Sequence, residues 1–549
     1  MNSGMYRCLE IFAKSSGEGR ITVRNQSNRT EETKYCQYDW LKFTLEPNCE
    51  YELDVENAVI GLMYLSGNDD VMETGVAYLD WNETEKKVEY RKMEEQYDTC
   101  YREQYHFVPW KNWMNDPNGL CWYRGYYHMF YQTNPYEQHW SNMYWGHAVS
   151  KDLIHWTHLP IVLAPQPEAL KQADHIKSGA FSGSAVAMED QVFFYLTRHY
   201  GPLEDGPDTI EEQWMTSSCD MLHFEPEQRI ISEKPEGANF DFRDPKVLKI
   251  GKIWYLVLGT NFNGKAAILL YRSLDGTKWS YVHPLFIEQT EGIRCFECPD
   301  FFELDGKYVA IGAWMSHYDE LGRYQMSRYY IGSWKDEKLE VEQSGWFDFG
   351  SNCYAMQSFE HGGRRISIGW VSDFYGEYIP VENGANGSMT IPRQLHIKHG
   401  RLIMNPVEEI YRLKENALYV GKKERIQLDE ITGNCYYAKI HFEKNTDFSI
   451  LLGKEGEKTI YLKNDSEGVR METYGVKTEG IKFQADVTEV KELELFVDRR
   501  LVEVYINDGE AVGTKIFYHS DKNGCFILDG ADMQAVSYAE VYTMRSIWH

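Results

Sequence analysis

Long apolar runs are missing from this chain. No stretch approaches the roughly 18 consecutive apolar residues needed to span a bilayer. The apolar segments present, such as Ile253–Leu258 and Ala266–Tyr271, have strand length. Positive charge is in deficit, with 57 Lys and Arg against 84 Asp and Glu, a formal charge of −27. Such a chain repels polyanions and releases no counterions from them, so nucleic acid is not an expected partner, and neither is a membrane. Residues 1–20 hold no apolar h-region, so no cleaved export signal is expected. The 11 cysteines are odd in number and scattered, which suits the reduced thiols of a cytoplasmic protein. Cys295-Phe-Glu-Cys298 has neither a second CxxC nor a His pair at zinc spacing, and no glycine fingerprint sits between a strand and a helix. The expected cofactor and metal set is therefore empty. Proline (17) and glycine (43) are too few for a collagenous or low-complexity chain, and 15% aromatics are too many for a disordered one.

Helical periodicity is scarce too, with Val407–Leu418 the best candidate. Short β-branched and aromatic segments dominate: Gly125–Tyr131, Val192–Leu196, Ile253–Leu258, Ala266–Tyr271, Tyr308–Ala313 and Arg365–Val371, with Gly, Asp, Asn or Pro near their ends. The class is all-β. Residues 1–100 alternate in places, as in Tyr51-Glu-Leu-Asp-Val55, and end in the charged run Lys86–Glu95, which reads as a small N-terminal β domain and a polar connection. Residues 101–412 hold nearly all the Asp-, Trp-, Gly- and Pro-rich turns and are too long for one sandwich but natural for a β-propeller. They show no strict repeat. Ser150-Lys-Asp-Leu-Ile-His-Trp156 and Ser273-Leu-Asp-Gly-Thr-Lys-Trp279 nevertheless echo each other like blade loops. Residues 413–549 return to period-2 alternation, and Leu493–Val497 and Leu501–Ile506 flank the loop Asp498–Arg500, as in an antiparallel sandwich.

Three acids stand in unusual surroundings. Asp116 lies in Trp113-Met-Asn-Asp-Pro-Asn-Gly119, where Pro117 restricts it to extended backbone. Asp244 is also followed by a proline and is flanked by Arg243 and Lys246, cations that keep a carboxylate ionised. Glu297 sits between Phe296 and Cys298, poorly solvated, which raises its pKa as a general acid requires. Taken singly, the first two read as ordinary turns and the third as a buried acid paired with Arg294. Taken together, one ionised and one protonated carboxylate are the minimum kit for cleaving a glycosidic bond, and a third anion stabilises charge on the sugar ring.

At these residues the sequence resembles glycoside hydrolase family 32, the β-fructosidases: invertases, inulinases, levanases and sucrose-6-phosphate hydrolases. Trp113–Gly119, Phe130-Tyr-Gln132 with Asn134-Pro135, Trp145–Trp156, Phe181–Ser184, Phe242–Lys246, Glu297–Asp300 and Pro392–Leu395 carry the resemblance, in order, over residues 101–549. It implies a five-bladed propeller with a funnel-shaped site, followed by a sandwich. By the same motifs Asp116 is implied as nucleophile, Asp244 as transition-state stabiliser and Glu297 as acid/base, in a retaining mechanism. Asn115, Gln132, Trp140, Phe181, Ser182, Arg243 and Trp370 are implied to surround the fructosyl unit. Where many relatives read Asp-Phe-Tyr-Ala-x-Gln, this chain reads Asn352-Cys-Tyr-Ala-Met-Gln357, an expected loss at the pocket edge that bears on the leaving group.

The expected activity is hydrolysis of terminal β-fructosyl linkages in sucrose or short fructo-oligosaccharides. The alternatives are sucrose-6-phosphate, with Arg323, Arg328 or Lys335 as candidate phosphate partners, levan or inulin, fructosyl transfer, and a silent carbohydrate-binding protein. The N-terminal 100 residues lie outside the family plan; binding carbohydrate, shaping the funnel and mediating oligomerisation are the open roles, and packing or assembly, of a homo-oligomer through these residues or the sandwich, is the expected one.

Overall fold

The computed structural model describes residues 1–25, 30–172, 175–376, 383–422, 425–530 and 533–548, without the side chains of 30–32, 34–36 and 533. Its strands form eight sheets in chain order. The first, six-stranded, is built within residues 8–90 around the long strand Cys8–Asn25. Alternation gives this strand two apolar faces: Leu9, Ile11 and Ala13 join the sheet's own core, while Phe12 faces the next sheet. The charged run read as a connection holds an edge strand, Lys87–Tyr90, and the helix Met93–Tyr97.

Five sheets follow, antiparallel but for the short strand Ala385–Asn386 that joins the first of them in parallel, and the six segments read as strands all fall in them, Gly125 being the turn before Tyr126–Asn134. Their first strands are Asn112–Tyr123, Ile176–Ala187, Ala238–Ile250, Phe296–Leu304 and Cys353–His361. Each packs on the next and the fifth returns to the first, so the inner strands close a ring and the architecture is a β-propeller. The Ser-x-Asp echo has a third copy, Ser218-Cys-Asp220. In all three the Asp carboxylate accepts two following backbone N–H groups, and Leu153, Met221 and Gly276 take φ of 69°, 67° and 77°. Each loop is thus the same Asx turn.

Two six-stranded sheets complete the chain as a sandwich around Ile440, Leu462, Leu495 and Phe526. Val407–Leu418 is not a helix. Glu408–Leu413 makes a 3₁₀ turn that buries Ile410 and Leu413, and Lys414–Gly421 becomes an edge strand. Buried charge ties the sandwich to the propeller: His106 bonds Asp498 (2.8 Å) and Glu503 (3.2 Å), and Arg393 bonds Asp348 and Glu503. Among the described residues no helix is long and apolar enough to cross a membrane.

Candidate active site

The site grows out of one irregularity repeated around the ring. Each inner strand slips register against its neighbour at the same level: at Asn115-Asp116, Ser182, Asp244-Pro245, Cys298-Pro299 and Ala355-Met356. Such bulges re-aim side chains that a regular strand would alternate. Here they turn Asn115, Phe181, Arg243, Glu297 and Tyr354, one from each strand, into a single cavity of about 410 Å³. Asp244, Cys298 and Ala355 take φ of 67°, 47° and 53°, the left-handed region that non-glycine residues seldom occupy. Proline after Asp244 therefore does not hold it extended, because it excludes the right-handed helical region without enforcing a strand. Gly183 is required at its bulge, where a Cβ would lie 1.9 Å from the Tyr195 carbonyl oxygen.

The three acids line this one cavity. Asp116 Oδ2 accepts from Ser182 Oγ at 2.6 Å and from Cys298 Sγ at 3.4 Å. Asp244 Oδ2 accepts the Cys298 amide at 2.7 Å. Glu297 accepts from Tyr354 OH at 2.7 Å through Oε2 and from Arg243 Nε at 3.3 Å through Oε1. Burial raises all three pKa values. For Asp116 the Ser182, Asn115 and Cys298 hydrogen bonds oppose the rise. For Glu297 Arg243 and Tyr354 oppose it, while the Asp116 charge adds to it. Asp244 is pushed up to about 8, by burial first, with Arg243 opposing and Glu297 and Asp116 adding. This corrects the expectation of an ionised Asp244. Lys246 is spent on Asp300 (3.0 Å), and Arg243 is shared among Glu211 (2.8 Å), Asp241 (2.8 Å) and Glu297. Burial raises Glu211 as well, but Arg243 and His199 overcome it and hold Glu211 down to about 2. Arg294, the neighbour in sequence, turns to Asp241 and Asp205 instead of Glu297.

All ten sequence-assigned residues line the cavity: Asn115, Asp116, Gln132, Trp140, Phe181, Ser182, Arg243, Asp244, Glu297 and Trp370. Gln132 is held by the Ala180 carbonyl (2.9 Å), Asn115 by Trp113 Nε1 (2.8 Å), and Phe181 by stacking on His199. Sequence reasoning missed Tyr354, Phe374, Asp373, Lys177 and Asp205 in the same wall. Tyr354 opens Tyr354-Ala-Met-Gln357, which spans its bulge as Asn115-Asp-Pro-Asn118, Phe181-Ser-Gly-Ser184, Arg243-Asp-Pro-Lys246 and Glu297-Cys-Pro-Asp300 span theirs, five tetrads in all. Asn352 and Cys353 are not at the pocket edge. Asn352 is buried on the sandwich seam, where it binds Ser372 O, Lys515 and the Ile516 amide, and the Cys353 thiol lies against Arg393. The last members of the tetrads, Asn118, Ser184, Lys246, Asp300 and Gln357, are buried off the cavity, with Lys246 bonding both Asp300 and Gln357. They fill the ring beyond the acids, so the cavity has a floor.

The model of the glycosyl hydrolases family 32 N-terminal domain matches residues 106–406, and that of the family's C-terminal domain matches 409–542. The chain belongs to glycoside hydrolase family 32. It is 34% identical to a sucrose-6-phosphate hydrolase of Escherichia coli over 78% of this chain and 91% of that relative. The structure of a family 32 glycoside hydrolase from Bifidobacterium adolescentis superposes with a TM-score of 0.94 at 30% identity, covering 100% of this chain and 99% of that one. A Bombyx mori GH32 beta-fructofuranosidase variant in complex with sucrose matches at 28% identity and a TM-score of 0.70, over 85% of this chain and 99% of that chain. This family 32 chain is thus a glycoside hydrolase whose floored cavity carries three acids.

Proposed function

We propose that the protein is a retaining, exo-acting β-fructofuranosidase of the cytoplasm that takes unphosphorylated sucrose and short fructo-oligosaccharides. The observation that carries this reading is the convergence of Asp116, Asp244 and Glu297 on one floored cavity. Asp116 attacks C2 of the terminal fructosyl unit, while Glu297 gives its proton to the departing oxygen. Glu297 then takes a proton from water, whose oxygen attacks C2, and Asp116 leaves as carboxylate with fructose released. Asp244, anchored by the Cys298 amide, and Arg243 face the fructosyl hydroxyls. Positive charge growing on the ring favours the ionised form of Asp244, which then stabilises that charge. A floor suits a chain end and excludes an internal linkage.

The charge of the wall favours a neutral substrate. Asp116, Asp205, Asp244, Glu297 and Asp373 line it against Lys177 and Arg243. Lys177 is paired with Asp205 at 2.5 Å, and Arg243 is shared among three acids. The cations considered for a phosphate are elsewhere. Arg323 is buried on Asp319 (2.7 Å) and Arg328 lies over Trp314 and Trp346, and neither they nor Lys335 line the cavity. Among the described residues a phosphate dianion therefore meets acids and cations already paired with acids. A panel of sucrose, sucrose 6-phosphate, kestose and levan, with anomer-resolved detection of fructose, tests this. Sucrose and kestose are expected to be cleaved with β-fructose as first product. A preference for the 6-phosphate, or release of internal fragments from levan, contradicts it.

A further inference from the structure

The first sheet, which lies wholly before the family-matched residues, touches the propeller at one segment of particular consequence, residues 135–140. This segment leads out of the strand Tyr126–Asn134 and ends on Trp140, whose ring lies across the cavity mouth with Phe181 edge-on at 5.9 Å and Lys177 Nζ over its face at 4.9 Å. The segment has little structure of its own, and the first sheet and the propeller hold it from two sides. The Tyr136 ring is boxed by Phe12 (6.0 Å) and Tyr38 (4.9 Å), and its hydroxyl donates to the Asp39 carbonyl at 3.0 Å. Lys14 pairs with Glu137. Gly61 lies against the segment so closely that a Cβ there would stand 2.5 Å from Tyr136 Cα and 2.7 Å from the Pro135 oxygen. Asn112 Nδ2 stitches the two together, donating to the Gly61 carbonyl at 3.1 Å and to the Pro135 carbonyl at 2.6 Å.

The same segment holds a second aromatic of the cavity, since the Glu137 carbonyl accepts the backbone N–H of Trp113 at 3.0 Å. On the propeller side Tyr144 meets the Tyr136 hydroxyl at 3.0 Å and its ring edge-on at 5.9 Å, and Asn134 and Asn386 donate to the His139 and Gln138 carbonyls. Trp140 itself is 38% exposed, a flat ring whose placement depends on the backbone beneath it.

We propose that the N-terminal sheet is part of substrate recognition: through Phe12, Lys14, Tyr38, Asp39 and Gly61 it fixes residues 135–140 and so positions Trp140 as a sugar-binding wall. The inference rests on the reading of the cavity as the sugar site. Gly61, Lys14 and Phe12 are positioning residues, because none of them lines the cavity. Displacing an aromatic wall by on the order of 1 Å weakens binding of substrate and transition state alike, so it acts on KM before kcat.

The test uses the full chain and the variants Gly61→Ala and Lys14→Met, each also in a Trp140→Ala background, with Lys14→Arg as the conservative control. Two readouts are taken: amide hydrogen exchange of residues 134–141, and KM and kcat on sucrose. Gly61→Ala is expected to speed exchange in 134–141 about tenfold, leave the five inner strands unchanged, raise KM about tenfold and leave kcat within about twofold. Lys14→Met gives the same pattern more weakly, Lys14→Arg keeps the wild-type behaviour, and both KM effects shrink once Trp140 is Ala, leaving only what passes through Trp113. Unchanged exchange in 134–141, an unchanged KM, or KM effects that simply add to those of Trp140→Ala overturn the inference. If Gly61→Ala does not fold, Lys14→Met decides. If the wild type cleaves no β-fructoside, the functional reading has failed, and the exchange data alone decide whether the sheet positions the segment.

Discussion

Tyr354→Phe is the most informative single substitution in the cavity. The Tyr354 hydroxyl donates to Glu297 Oε2 at 2.7 Å, and its ring packs edge-on against Phe374 at 5.0 Å. Phe keeps the ring and loses only the donor. A hydrogen bond to an ionised carboxylate contributes about 1.5–3 kcal/mol. Part of it survives when the acid is protonated, so the differential loss is about 1.4 kcal/mol, a factor of ten in the protonation equilibrium. The sign follows from which form the bond favours. Tyr354 stabilises charged Glu297 against the burial that raises its pKa, so removing the hydroxyl raises it further. The acid then stays protonated to higher pH. A kcat/KM profile on sucrose is expected to show its basic limb displaced to alkaline pH, with the variant-to-wild-type ratio rising about tenfold from the plateau to the far side of that limb. A limb that stays in place, or moves to lower pH, refutes Glu297 as the proton donor under Tyr354 control.

Asp116→Asn is expected to lower kcat about ten-thousand-fold or more with the circular dichroism spectrum and Tm preserved, because the amide still accepts from Ser182 but cannot attack carbon. Glu297→Gln should cut turnover of sucrose by about 10²–10⁴-fold yet spare β-fructosyl fluoride, whose leaving group needs little protonation; equal losses on both substrates would remove the acid role. The buried seam gives a stability signature. Burial opposes the charged ring of His106, but Asp498 and Glu503 carry its pKa from 6.5 up to about 9. Its contribution is complete below pH 6.5 and is lost as the pH rises through 9, so Tm should fall across that window. His106→Gln should flatten the fall, and a Tm that rises there contradicts the pairing.

The fold class was legible because its signals are local. Period-2 alternation and Asx turns act within a few residues, and both survive unchanged in the structure. Val407–Leu418 misled because one buried turn, Ile410 and Leu413, mimics the start of a helix before an edge strand takes over. The acids were legible for a different reason: each is followed by proline or set among cysteines where no ordinary strand would put it. What stayed hidden was which partners those acids would meet. Lys246 and Arg294 are close to Asp244 and Glu297 in sequence, yet Lys246, just past its bulge, turns to Asp300, and Arg294, in the loop before its strand, turns to Asp241. Spacing along a chain does not encode the direction of a side chain at a register slip. The five tetrads share little beyond a proline at the third position of three of them, since what recurs in all five is the bulge. Asn352 shows the same limit, because its burial against the sandwich depends on Lys515 and Ile516, more than 160 positions later.

The most direct test of Asp116 as nucleophile is to trap the intermediate. Glu297→Gln is mixed with β-fructosyl fluoride, quenched in acid within milliseconds, digested, and analysed by mass spectrometry. A hexosyl adduct on the peptide carrying Asp116, absent from Asp116→Asn/Glu297→Gln and discharged by added nucleophile, is the predicted result. An adduct on Asp244 or Glu297, or first-formed fructose of inverted configuration with no adduct at all, would contradict it.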